Sequence, residues 1–188
     1  MRIISQWHGE DEKELEEVAG AVAFNGWKLG RRTLNDMQQE QVQFESYSQG
    51  LDVLSEIMAF LVQVADRLVW ERMEEEDRQR FSRAMAIKAI EMIVENRLEH
   101  DGPNGDHRAK AVALFNQRFA DYAEFGFNQE GPSYPFLRYL GARVGEIMGE
   151  AGPSNRWTAD MMVDVYGPKI ARDLQTSLDS LLGLEDST

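Results

Sequence analysis

The sequence predicts an all-α protein, a five- or six-helix bundle with a long antiparallel pair, residues 51–72 and 75–98, at its centre. Three observations carry this. No proline occurs among the first 102 residues, so nothing there interrupts the i→i−4 hydrogen-bond ladder of a helix. Apolar residues recur three and four apart, the spacing that lays a buried stripe along one helix face. Polar breaks rich in glycine and proline then punctuate the second half at His100–His107, Gly131–Ser133 and Ala151–Asn155.

Taken in order, Glu10–Leu29 opens with six acidic residues (Glu10, Asp11, Glu12, Glu14, Glu16, Glu17), which complement the positive end of a helix dipole. Val18, Ala21, Val22 and Phe24 follow, and Gly26 and Gly30 are expected to end this first helix. A second pattern starts at Asn35 and strengthens after Gly50, where Leu51, Leu54, Ile57, Met58, Leu61, Ala65 and Leu68 form one stripe. The polar stretch Gln38–Ser48 reads either as a separate helix or as the first turns of one bent at Gly50.

Only Met73 is apolar between Glu71 and Arg80, and the stripe does not continue in phase beyond it, so a reversal is expected near Arg72–Glu75. Glu75–Leu98 carries Phe81, Met85, Ala89, Met92 and Ile93 beside Ala84, Ile87 and Ile90. Apolar residues therefore cover much of its circumference, and it is the expected central helix. Asp106–Phe125 is the fourth helix, with Val112, Phe115, Phe119 and Tyr122 on its stripe. Ser133 is placed to cap a fifth, with Pro135 in its first turn. The last helix runs from Thr158 past Leu181 and is expected to kink or break at Pro168.

A chain of 188 residues with 43% apolar content suffices for one domain, residues 1–188, with its own core. Residues 1–9, with Ile3, Ile4 and Trp7, read as an apolar N-terminal arm that needs a surface to cover it, its own bundle or a second subunit. Thirty-three acidic against twenty basic residues give a net charge of −13, which repels phosphate backbones and anionic lipid. No nucleic acid and no membrane partner are expected. Met1–Trp7 is too short and polar for a signal peptide, no apolar run approaches the roughly 20 residues of a membrane span, and a cytoplasmic location is the default. With no cysteine, disulfides and thiolate chemistry are excluded.

Catalytic motifs are sparse. A di-iron centre in a helical frame needs Glu-x-x-His pairs, and His8, His100 and His107 lack a glutamate three positions upstream. Glu71, Glu74 and Asp77 share a helical face, but a second converging acidic pair is missing, and a charged helix end explains them. The loop offers His100, Asp101, Asp106 and His107, whose imidazoles and carboxylates are competent ligands for the metals that activate water. Helical metal-dependent phosphohydrolases use such adjacent His and Asp. Solvated loop residues are the plainer reading, since rigid elements usually carry a catalytic metal.

Four tryptophans and nine methionines suit either ordinary core or an adaptable partner surface. The expectation is accordingly a soluble helical protein acting by protein–protein association, as homodimer or adaptor, with no cofactor. A metal-dependent phosphohydrolase centred on His100 and Asp101 is the alternative. A pocket for an apolar ligand between residues 51–68 and 81–98 is the second.

Overall fold

A computed structural model describes residues 10–149 and 153–183, and among them the chain is a helical bundle. Its elements are α1 (Glu10–Gln39), α2 (Tyr47–Val69), α3 (Glu75–His100), α4 (His107–Ala123), α5 (Tyr134–Met148), α6 (Pro153–Met161), a π-helical turn (Met162–Tyr166) and α7 (Gly167–Leu181). The expected arm at residues 1–9 lies outside the described residues.

The first helix continues ten residues beyond the expected end, through both glycines to Gln39. Its buried face runs Leu15, Ala19, Val22, Ala23, Gly26, Trp27, Gly30, Thr33 and Met37. Gly30 is there for proximity: a Cβ on it would lie 2.5 Å from Leu54 Cδ1 and 3.3 Å from Ile57 Cγ2. The helix ends instead at Gln41, a left-handed residue with φ 67°. Gln41 N–H donates to Gln38 O (3.1 Å) and Val42 N–H to Met37 O (3.0 Å), the bond pair of a Schellman cap. Residues 41–46 are therefore a connection rather than a helix, and α2 starts after Ser46, whose hydroxyl caps Gln49 N–H.

The antiparallel pair is present, bridged by Asp66–Arg78 at one end and Asp52–Arg97 at the other. Within it α2, not α3, is the central member: every residue from Val53 to Ala65 is buried, and α2 packs on α1, α3, α4, α5 and α7. The apolar residues of α3 exceed what its neighbours cover, which leaves Ile87 and Leu98 exposed. The reversal falls at residues 70–74. Arg78 pins it, bonding Asp66 and Glu75 while its guanidinium stacks 4.3 Å over the Trp70 ring.

A two-residue antiparallel ribbon (Phe127–Asn128 with Gly131–Pro132) leads into α5. Ser133 occupies the cap position as expected, though its side chain makes no capping bond. Residues 153–155, expected as loop, belong to α6. The expected break at Pro168 takes the form of the π turn, with Gly167 N–H donating to Met162 O five positions back. Proline has no N–H, and its ring excludes the carbonyl four residues earlier, so the chain widens by one residue just ahead of it. Beyond it, Ile170, Leu174 and Leu178 are buried, and α7 packs on α1 and α2.

Candidate functional site

The four loop candidates each have a structural partner. His100 closes α3 with its ring against Tyr47, centroids 3.7 Å apart. Asp101 accepts from the Ser48 hydroxyl and from Arg97 Nη1 (2.9 Å); those two bonds, the Ser48 one foremost, hold its carboxyl below the usual range. Asp106 caps α4 by accepting from Ala109 N–H at 2.8 Å. His107 Nε2–H donates to the Gly102 carbonyl (2.8 Å), folding the loop back through Gly102, whose φ of 79° suits glycine. Among the described residues, no three His, Asp or Glu side chains converge as a metal-ligand set.

Asp101 and His107 do share a cleft of about 450 Å³ where α2, α3 and α4 meet. The α2 side contributes Asp52, Ser55 and Glu56, and α3 contributes Ile93 and Arg97. His107, Lys110, Ala111 and Leu114 come from α4, with Ile147 of α5 beside them. Arg97 braces the rim, its two terminal nitrogens reaching Asp52, Asp101 and the Ser48 carbonyl.

Glu56 is only 4% exposed although it lies on the central helix. Arg118 answers it with a fork, Nε to Oε2 and Nη2 to Oε1, both 2.7 Å. That carboxylate raises the Arg118 pKa above its ordinary value. Behind the pair, Tyr139 donates to Asp121, and Tyr122 stacks on Phe136 while Phe60 meets both rings edge-on. Burial pushes Tyr122 well above the usual phenol range, and its hydroxyl has no described partner. Spacing along α4 explains how one helix serves two sites. Residues 107, 110, 111, 114 and 118 share one face, whereas Val112, Phe115, Asn116 and Phe119 share another.

That second face borders a groove of about 790 Å³ between α3 and α4, floored by the end of α2. Trp70 (54% exposed), Ile87 (45%) and Val112 (38%) all line it. A further groove of about 460 Å³ runs between α3 and α1, lined by Glu16, Gly20, Ala84, Lys88 and Glu91. Arg83 and Ile87 line both grooves, so they form the ridge that separates them.

Of the tryptophans, Trp27 alone among the described ones is core, while Trp70 and Trp157 are exposed; Trp7 lies outside the described residues. No helix among the described residues is long and apolar enough to cross a membrane. Two of the openings along the α2–α3 pair lie where α4 joins it. Sequence periodicity marked the exposed Ile87 as core, and the Glu56–Arg118 pair left no local signal. No known family, curated protein or solved structure gives a significant match to this chain.

Proposed function

We propose that the protein works by association, two copies pairing through the outer face of α3. The observation that supports this reading is the Arg83–Ile87 ridge with a groove on either side. Helices pack by setting the ridge of one into the groove of another, and a two-fold interface must be complementary to itself. A ridge beside its own groove meets that requirement.

The charges agree. Arg83 lies four residues before Ile87 and Glu91 four after it, so an antiparallel pairing level with Ile87, its two-fold axis passing between the ridge and one groove, sets each Arg83 near the partner's Glu91. Such pairs select orientation more than they add affinity. The apolar contribution comes from covering the still exposed parts of Ile87, Trp70 and Val112, at about 25 cal/mol for each Å² removed from water.

Sedimentation equilibrium across the micromolar range tests the reading. The wild type is expected as a dimer and Ile87→Glu as a folded monomer. Arg83→Glu and Glu91→Arg each weaken pairing, and their combination restores it. A wild type that stays monomeric, or a charge swap that fails to rescue, overturns the proposal.

A further inference from the structure

A second site follows from the cleft between α2, α3 and α4, which is remote in charge and shape from the α3 ridge. We infer that this cleft binds a small zwitterion with an aliphatic body, an amino acid or dipeptide, its ammonium toward α2 and its carboxylate toward α4. Its volume of about 450 Å³ falls within the range of small-ligand sites, about 300–1,000 Å³.

The two signs of charge are segregated across it. Asp52 and Glu56 stand on the α2 side, and Lys110 on the α4 side. Between them Ile93, Ala111, Leu114 and Ile147 supply an apolar lining. The charges that shape the cleft are already spoken for: Arg97 and Asp101 bond each other and Ser48, and Glu56 is held by Arg118.

Capacity remains at two points. Asp52 gives one oxygen to Arg97 and keeps Oδ2 without a partner among the described residues. Lys110 Nζ has no hydrogen bond or ion pair to any described residue. A ligand bearing a single charge would match one side and be opposed by the other, whereas a zwitterion matches both. The buried Glu56 reinforces the selection. Its net charge is cancelled by Arg118, yet each oxygen keeps a lone pair that can accept from an ammonium.

Isothermal titration calorimetry of the full chain, with L-leucine and L-leucyl-L-leucine as probes, tests the inference. At least one is expected to bind. N-acetyl-leucine, lacking the ammonium, and leucine methyl ester, lacking the carboxylate, are expected to bind about tenfold more weakly or not at all. Asp52→Asn keeps an oxygen that accepts from Arg97 and Lys110→Gln removes no described bond, so circular dichroism is expected to match the wild type while affinity falls about tenfold in each. Absence of heat with both probes overturns the inference. So does equal binding of the blocked compounds, or unchanged affinity in both variants.

Discussion

Glu56 and Arg118 are separated by 62 positions in sequence and meet through two parallel N–H···O bonds of 2.7 Å. Desolvating two charges costs several kcal/mol, and their attraction returns that only while both partners are present. Arg118→Met alone is expected to destabilise the fold by about 3–5 kcal/mol, because it leaves the Glu56 carboxylate buried and unanswered, and Glu56→Gln by less, because Arg118 keeps Asp121 at 3.5 Å. The double variant Glu56→Leu/Arg118→Met is expected to recover most of the loss. Urea unfolding, read as a midpoint change at constant slope, checks both. A double variant as unstable as the single ones would show that packing, not charge, sets the cost.

The neighbouring Tyr139–Asp121 bond couples stability to pH at both extremes. Burial, then the bond to Asp121, pushes the Tyr139 phenol from 10.0 up to about 12. A raised folded value gives stability that is complete below pH 10 and lost as pH rises toward 12. The same bond foremost holds Asp121 below its ordinary 3.8, so its contribution is present above that value and lost as pH falls through the depressed one. Tyr139→Phe is expected to flatten the stability profile at both ends, with the smallest slope change near neutrality. Thermal melts over the accessible pH range, with phenolate absorbance followed on the alkaline side, measure this.

Gln41 sits where a Schellman cap usually places glycine. A side chain in the left-handed region costs roughly 1–2 kcal/mol, so Gln41→Gly is expected to stabilise the protein by about 1 kcal/mol. Gly30→Ala is expected to act oppositely. Its new methyl would meet Leu54 Cδ1 at 2.5 Å inside the core, an overpacking of the kind that costs about 1–3 kcal/mol. Denaturation midpoints of the two variants should therefore move apart.

Asp106 provides a test of the metal expectation. Losing an N-cap carboxylate costs about 1 kcal/mol, and if capping Ala109 N–H is its role, Asp106→Ala loses that amount equally with and without a chelator. A stability difference that appears only in chelator-free buffer, with metal recovered by elemental analysis, would instead favour the ligand role for Asp106 and its neighbours.

The same residues show what was legible in the sequence. The stripe Leu51–Leu68, the polar reversal expected near Arg72–Glu75 and the loop expected at His100–His107 are local signals, and the breaks at residues 70–74 and 101–106 fall within a few residues of them. The end of α1 was hidden because glycine has two uses. Gly26 and Gly30 serve close packing within the helix, while the actual cap falls on a glutamine, which carries no stop signal. Ile87 was read as core because its spacing fits the stripe; only the placement of α1 and α4 decides which apolar residues of α3 are covered. Asp101 and His107 could be noticed because each stands in an adjacent pair, His100-Asp101 and Asp106-His107, within one short loop. Glu56, Lys110 and Arg118 come from different helices, and no local pattern brings them together.

The π turn at Met162–Tyr166 amounts to one residue more than a regular helix would hold. Winding it as a regular helix with every residue kept would turn everything downstream by about 100° about the axis. Ile170, Leu174 and Leu178 would then rotate away from α1 and α2, and polar neighbours would face the core. The wide turn absorbs the extra residue and keeps α7 in phase, and Pro168, whose ring bars the regular winding just ahead of it, makes that phase a property of one proline.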